Sequence, residues 1–419
     1  MKRLSIAQAR KGRPRATSGN VPVMAVTTAL NVASITMWSP ILSLIMRDLG
    51  ATDLQISLAN AAWAAGSALV QFQGGRWGDR HGRLPIIVYP TYLAGLAIGA
   101  AALMRSWLPF ALTLIFWNIF NAVQSPVFSP FVGESVPPDR RGWAFGRLEG
   151  AIGVGVVVGP LLGARLLPLV GARGLLLTTA VILIVTGATR HLFLRETRPE
   201  SIGSRPFTFR DVLGGRLRLV LLAVVFYNVI LSMTLWGPFL PLHATDAMAL
   251  GKSTIQLFSA FASVVAALVS PLAGRAVERF GSYRVLAVGG FGLGVASLLW
   301  SAQRGLAAIA IGYFLMALGF QFVMVSSDAF RVHAVDDAIR GVALGAIGTL
   351  TNLSTVVIVP LAGYLKGLWA GSPFLMAALA GLGLLSVTKT LARTEVVARG
   401  AEPVLTAARS TESGRPGPP

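Results

Sequence analysis

Long apolar stretches without a charged residue recur along almost the whole chain. Between positions 20 and 391 twelve can be counted, provided that the longest run, from Glu149 to Arg190, is divided by a short loop at Pro168–Gly174. Each stretch is about 20 residues or longer, which is the length a helix needs to cross a hydrocarbon core of roughly 30 Å. The pattern therefore predicts an all-α integral membrane protein with twelve transmembrane helices.

Basic residues are distributed unevenly between these helices. If both termini are cytoplasmic, most of the 36 Lys and Arg residues fall in inner segments, as the positive-inside rule requires. This bias explains the net charge of +19 without a nucleic-acid partner, although the inner surface could still attract anionic lipid. We expect a multi-pass protein of the plasma (bacterial inner) membrane, with a basic cytoplasmic N-terminus (1–20) and a disordered cytoplasmic tail (392–419).

Composition excludes several other classes of protein. Charged residues make up only 13% of the chain and hydrophobic residues 54%, whereas soluble domains carry about 25% charge. Without cysteine there is no disulfide framework, thiolate metal site or thiol catalysis. The four histidines, at 81, 191, 243 and 333, are scattered near predicted helix ends. We therefore expect no enzymatic activity, no cofactor and no metal site.

Two short motifs occur twice at the same spacing. The first begins at Gly75 and again at Gly274, and the second begins at Arg141 and again at Arg340, so both pairs are 199 positions apart (274 minus 75, 340 minus 141). The repeat predicts two six-helix halves, 21–193 and 218–391, joined by an Arg-rich cytoplasmic linker at 194–217. Parallel repeats of this kind place a substrate site near the bilayer midplane, where the halves meet.

The first motif consists of Gly75, Asp79, Arg80, Gly82 and Arg83 in the loop after the second predicted helix, and its second copy consists of Gly274, Glu278, Arg279 and Gly281. With this doubled motif the chain resembles the major facilitator superfamily over residues 20–391. The resemblance implies a cytoplasmic latch, in which Asp79 faces the start of the eleventh helix and Arg80 or Arg83 pairs with Glu134. The second copy departs at Ser282, where Arg is usual, which implies a weaker latch. The alternative is ordinary inner-loop charge.

Another motif in the fifth predicted helix places glycines at every fourth position. Gly155, Gly159 and Gly163 form a smooth face that allows close helix approach, and Pro160 bends the helix. The set resembles the signature of antiporters in the drug-efflux branch, with Ala164 in place of its final Gly. The alternative interpretation is general tight packing between helices.

Proton coupling requires a titratable group that moves with the cavity. Drug/proton antiporters of the family usually carry Arg and, four residues later, Gly in the fourth helix, where this chain has Asn118 and Ala122. The remaining candidates for coupling are Glu149, His243 and Asp328, and Asp328 has Arg331 one turn later as a structural ion-pair partner.

Polar and aromatic residues inside predicted helices are the candidates for the substrate cavity, although each could instead form a hydrogen bond that serves helix packing. A wider polar set includes Asn60 and Tyr227. The predicted cavity residues are Asn31, Trp38, Asn118, Gln124, Asn228, Trp236, Gln321 and Asn352. Amides and aromatics without a fixed charge indicate a neutral or amphipathic substrate.

These features together favour a secondary active transporter that works by alternating access as a monomer. An efflux antiporter of a small organic or amphipathic solute, with protons as the coupling ion, is the leading interpretation. The alternative is an uncoupled or symport-type facilitator of a neutral solute such as a sugar. A channel or a non-transporting receptor is less favoured, because the doubled latch motif indicates a moving device.

Overall fold

The computed structural model describes residues 19–197, 215–235, 237–303, 305–333 and 340–391. Most of the predicted N-terminal segment and linker, and the whole predicted tail, lie outside these ranges. The helices are α1 (Asn20–Thr36), α2 (Leu42–Asp48), α3 (Asp53–His81), α4 (Arg83–Leu103), α5 (Trp107–Glu134), α6 (Arg141–Phe193), α7 (Gly215–Met233), α8 (Phe239–Met248), α9 (Lys252–Phe280), α10 (Ser282–Ser301), α11 (Leu306–His333), α12 (Arg340–Leu368) and α13 (Ser372–Leu391).

Length and composition give nine segments of the described chain that could cross a membrane. One of them, 138–193, holds two helices, because α6 reverses its course at Gly171, where φ is 68°. This is within the loop predicted at 168–174. The less apolar α3 has 29 residues, which corresponds to a length of about 44 Å at 1.5 Å per residue. Helices α7 and α8 together form one span that is broken between them. The all-helical membrane fold is therefore confirmed, and the exact count of twelve spans stays a prediction.

Two glycine turns mark equivalent positions of the predicted repeat. Gly82 (φ 95°) separates α3 from α4, and Gly281 (φ 82°) separates α9 from α10. Positive φ values of this kind favour glycine, which has no Cβ. At the first turn the Glu196 carboxylate accepts hydrogen bonds from the backbone N–H groups of Arg83 (2.8 Å) and Leu84 (3.0 Å), so it caps the start of α4.

The two predicted halves, 21–193 and 218–391, meet along a seam where α3 packs on α12 and α6 packs on α9. Large apolar side chains such as Leu69, Leu192 and Leu268 are exposed on the outside of the bundle, as lipid-facing positions allow. We call the end of the bundle that carries Asp48 and Lys252 the outer end, because the predicted orientation places it outside the cell.

Candidate functional site: a cavity at the seam

A cavity of about 370 Å³ lies at the seam between the two halves. Its wall is built from α1, α2, α3 and α6 on one side, and from the segment 235–238, α8, α9 and α11 on the other. Among the described residues of the wall there is no Asp, Glu, Lys, Arg or His. The polar side chains that line it are Thr36, Ser39, Ser43, Asn60, Ser259, Ser263, Tyr313 and Gln321.

Two broken helices form part of this wall. The first span breaks after Thr36 and continues through a 3₁₀ turn at Ser39–Ile41 into α2, and the seventh breaks after Met233 and continues at Phe239 as α8. With the repeat spacing of 199, Ser39 corresponds to Pro238, so the two breaks occupy equivalent positions. Breaks at corresponding positions of two repeats are the strongest pointer to a substrate site in transporters of this kind.

Local sequence explains both breaks. Proline removes a backbone donor and cannot continue a helix, and Pro40 and Pro238 stand at the two breaks. Gly237 is also required, because a Cβ at this position would overlap the carbonyl oxygen of Ser232. The local sequence therefore interrupts both helices at the point where they reach the cavity.

Ion pairs join the two halves at the outer end. We call Arg47, Asp53, Asp246 and Lys366 the outer ion-pair network. Arg47 Nη2 lies 2.6 Å from Asp53 Oδ1, and the guanidinium donates to both oxygens of Asp246, from Nη1 to Oδ1 and from Nη2 to Oδ2. Lys366, only 5% exposed in its side chain, lies 3.1 Å from Asp246 Oδ2 and also donates to Asp53. Two cations and two anions therefore neutralise each other across the seam.

Further contacts close the outer end of the cavity. Lys252 of the second half pairs with Asp48 of the first half, and the Gln256 amide donates to the carbonyl oxygen of Met37. Burial disfavours the charged form of Asp246, but the hydrogen bonds from Arg47 and Lys366 outweigh this effect, so the pKa of its carboxyl lies below the ordinary 3.8. The Asp246 carboxylate is therefore charged at neutral pH and can pair with Arg47.

The residues of the first predicted latch lie at the inner end. Arg83 Nη2 is 3.1 Å from Glu134 Oε1, while Arg80 is exposed. The other oxygen of Glu134 accepts from the Thr197 hydroxyl at 2.8 Å. A Cβ at Gly75 would make only an ordinary contact with Pro126 at 3.7 Å. The Asp79 side chain lies outside the described part of the structure, so the latch stays a prediction.

The second copy of the motif has different surroundings. Glu278 and Arg279 are exposed, and the Arg279 guanidinium lies 5.3 Å from the centre of the neighbouring Phe280 ring. A Cβ at Gly274 would meet nothing within 4 Å, and Gly281 adopts the same left-handed turn as Gly82. Its action as a second latch also stays a prediction.

The glycine motif of α6 packs directly on α1. A Cβ at Gly155 would lie 2.8 Å from the carbonyl oxygen of Ala29, and one at Gly159 or Gly163 would overlap a carbonyl oxygen of α1 or of the turn that follows it. The neighbouring Pro160 lines the cavity. The smooth face therefore brings α6 against the broken first span, while its significance for antiport is untested.

Of the predicted cavity residues, Gln321 lines the cavity, as does Asn60 from the wider set. Two of the other predicted residues make hydrogen bonds within their own half. Asn118 donates to the Ser67 hydroxyl at 2.5 Å, and Asn228 donates to Ser354 at 2.7 Å. These amides serve helix packing in this conformation, and contact with substrate stays a prediction for them.

The remaining predicted cavity residues lie off this wall. Trp38 is fully buried, with its ring centre 5.3 Å from that of Trp117. Gln124 is buried inside the first half, 3.0 Å from the Thr91 hydroxyl. Asn352 crosses the seam with a 3.3 Å hydrogen bond to Gln71. Asn31 is half-buried, and its side-chain oxygen has no hydrogen-bond partner within the described ranges. Trp236 lies outside the described residues.

The candidates for proton coupling are dispersed. Glu149 is exposed near the inner start of α6. His243 is 3% exposed, with Nε2 2.7 Å from the carbonyl oxygen of Ser301 and its ring against Phe374. The side chain of Asp328 lies outside the described part of the chain. Within the described ranges no three His, Cys, Asp or Glu side chains converge to hold a metal ion.

One buried cation was missed by sequence reasoning. Arg190 is fully buried inside the first half, where it donates to the hydroxyls of Thr27 (3.1 Å) and Thr91 (3.0 Å) and lies over the Phe128 ring. From the sequence it is indistinguishable from an inner-loop charge, since it stands four residues before the predicted linker. An arginine directed into the bundle is costly and usually functional.

The outer ion-pair network was also missed, although its signal was present. Arg47 and Asp246 are 199 positions apart, which is the spacing of the repeat, and they carry opposite charges. Equivalent residues of the two halves are related by an approximate two-fold axis between the halves. Two such residues meet each other when they lie close to that axis. Opposite charges at equivalent positions therefore indicate an ion pair across the seam.

Comparison with known proteins identifies the family. The model of the Major Facilitator Superfamily matches residues 24–239 and 222–411, and the chain belongs to this superfamily of membrane transporters. An uncharacterized MFS-type transporter of Methanocaldococcus jannaschii is 23% identical over 346 residues, which are 81% of this chain and 89% of that protein. The multi-drug resistance efflux pump PmrA homolog of Lactococcus lactis is 25% identical over 270 residues, which are 61% of this chain and 66% of the relative.

Solved structures agree on the fold. The nucleoside transporter NupG superimposes with a TM-score of 0.74 over 88% of this chain and 99% of that chain, at 12% sequence identity. Such low identity supports the fold and not a shared substrate. The family and its fold, predicted from the doubled motif, are thus confirmed.

Proposed function

We propose that this protein exports a small amphipathic organic solute by alternating access, in exchange for protons. The observation that carries the proposal is the cavity at the seam of the two halves, directly beneath a set of ion pairs that joins them at the outer end. A site between two rigid halves reaches either side of the membrane when the halves rock against each other.

The outer ion-pair network acts as the outer gate in this proposal. Because Arg47 and Asp246 belong to different halves, the pair must separate before the cavity can open outward. Asp246 is exposed, and ion pairs at such partly hydrated positions contribute little net stability. Separation of Arg47 from Asp246 therefore costs little free energy.

Export is supported by the similarity to a multi-drug resistance efflux pump homolog and by the glycine motif of α6. Coupling is assigned to Glu149, an exposed carboxylate on the same helix as Pro160 of the cavity wall.

The test uses everted membrane vesicles with an imposed acid interior and three fluorescent probes of equal size. Dansylglycine carries a carboxylate, dansylglycinamide a carboxamide and dansylethylenediamine an ammonium group. We expect at least one probe to accumulate above the level of vesicles without the protein, to be released by a protonophore, and to lose accumulation in Glu149→Gln. If no probe moves under any gradient, the export proposal fails.

A second candidate is an uncoupled facilitator of a neutral solute. The observation that favours it is the cavity wall, whose described residues include no Asp, Glu, Lys, Arg or His. Under this alternative a probe equilibrates faster than in control vesicles, does not accumulate against a gradient, and is indifferent to Glu149→Gln.

A further inference from the structure

We infer that the cavity recognises a hydrogen-bond acceptor group, a carboxylate or an uncharged carbonyl, on an apolar body, and that it discriminates against organic cations. The inference rests on the proposed function, because it names the class of solute that the exporter takes. The acceptor group would lie where the start of α8 and the hydroxyls of Ser43 and Tyr313 meet the cavity.

The start of α8 supplies backbone donors. Its N-cap is Pro238, which provides no side-chain hydrogen bond, and helix geometry leaves the N–H groups of Phe239 and Leu240 without a partner inside the helix. Pro238 and Leu240 both line the cavity. The positive end of the α8 dipole therefore points at the cavity contents, which favours an acceptor and disfavours a cation.

Two buried hydroxyls supply an independent sign of a ligand. Ser43 is 3% exposed and Tyr313 is 0% exposed, both line the cavity, and neither side-chain oxygen has a hydrogen-bond partner among the residues that the structure describes. Buried polar atoms in native proteins are almost always paired. A hydroxyl left unpaired at the wall of a cavity is therefore explained by a group that enters the cavity.

The Tyr313 ring is held in position for this role. It stacks on Phe258 with ring centres 5.0 Å apart and packs edge-on against Trp300 at 5.5 Å. A donor fixed in advance loses little conformational freedom when a ligand arrives. The wall residues Ala317 and Phe320 provide apolar contact for the body of the solute.

The charges of the wall complete the argument. The described wall residues offer no carboxylate, so a cation would lose its hydration without gaining a counter-ion, which is expensive at membrane depth. An acceptor group instead gains donors from α8, Ser43 and Tyr313. The described part of the wall also contains no Lys or Arg, so it would not neutralise a multiply charged anion.

The test measures binding of the three dansyl probes to the purified full-length protein by fluorescence titration at pH 7. We expect dansylglycine or dansylglycinamide to bind at least about tenfold more tightly than dansylethylenediamine, and Tyr313→Phe and Ser43→Ala each to weaken that binding by about five- to tenfold. Tyr227→Phe is the matched control, because Tyr227 is 1% exposed but lies off the cavity wall, and we expect less than a twofold change.

The outcomes separate the possibilities. Preference for the carboxylate over the carboxamide identifies an anionic solute, and equal binding of the two identifies an uncharged carbonyl. Tighter or equal binding of the ammonium probe overturns the inference, as does unchanged affinity in both Tyr313→Phe and Ser43→Ala. If vesicles export only the ammonium probe, export stands while the inference falls. If the acceptor probes bind but none is transported, the site stands while export falls.

Discussion

The outer ion-pair network and the cavity beneath it lie on the same seam but are built from opposite chemistry. Arg47, Asp53, Asp246 and Lys366 bring four charges together across the two halves. The described wall of the cavity, a few residues deeper, carries hydroxyls and amides and no Asp, Glu, Lys, Arg or His. Both regions are made by the broken first and seventh spans with their neighbours.

The difference follows from what each region must do during a transport cycle. Pairs near water exchange one set of hydrogen bonds for another at small cost when they separate. A charge in the middle of the membrane would have to be desolvated whenever the cavity closes. Charges therefore suit the gate, while neutral donors suit a site that must release its ligand.

Charge reversal in the network should have the largest effect. Arg47→Asp places a third carboxylate beside Asp53 and Asp246, so repulsion should open the outer end. The natural chain contains no cysteine, and Ser259→Cys therefore introduces a single thiol on the cavity wall. We expect a membrane-impermeant thiol reagent added outside to label this cysteine at least about tenfold faster in the Arg47→Asp background.

The charge swap is the matched control for this prediction. Adding Asp246→Arg to Arg47→Asp restores opposite charges at the two positions that meet across the seam, and labelling should slow again by more than half of the original effect. If the double variant labels as fast as Arg47→Asp alone, the pair does not act as a gate.

A smaller effect is expected on the cavity side, from the glycine face of α6. A Cβ at Gly159 would overlap the Thr36 hydroxyl and the carbonyl oxygen of Ala33, so Gly159→Ala must push α6 away from the broken first span. Overpacking of this kind costs about 1–3 kcal/mol. We expect a lower thermal unfolding midpoint and a several-fold lower transport rate.

Gly153 provides the comparison, because it lies on the same helix and a Cβ there would meet nothing within 4 Å. Gly153→Ala should leave stability unchanged or raise it by up to about 1 kcal/mol, since alanine is the better helix former. Equal destabilisation by the two substitutions would show that the glycine face has no special packing role.

The membrane fold could be predicted because the length of the apolar segments and the doubled motif can be read from the sequence alone, without knowing which residues pack together. The pairing of Arg47 with Asp246 was also within reach, since the two positions differ by the repeat spacing. The residues of the cavity wall could not be predicted, because the polarity of a side chain does not reveal which way it faces. Asn118 and Asn228 turn out to bond to neighbouring helices.

Hydroxyl residues are the hardest to assign from sequence. Ser43 and Tyr313 look like ordinary members of apolar helices. Only the structure shows that both line the cavity and that their hydroxyls have no partner in the described part of the chain. Arg190 poses the reverse problem, because its position near a predicted helix end gives no sign that it is fully buried. In both cases the surroundings of the side chain depend on how the helices pack, which the sequence does not show.

The smallest expected effect concerns pH, and it distinguishes the gate from the coupling step. The pKa of Asp246 is lowered in the folded protein, so its pairing stabilises the closed gate at all pH values above the ordinary 3.8 and is lost only as pH falls through the lower folded value. We therefore expect the outer end to stay closed between about pH 5 and 8.

Spin labels at Arg105→Cys and Ala302→Cys report the outer distance between the halves, and the Arg47→Asp background shows the widened distance for reference. A distance that grows as the pH falls from 8 to 5 would place the proton-sensitive group in the gate, whereas a constant distance with pH-dependent transport would leave coupling to a carboxylate elsewhere, such as Glu149.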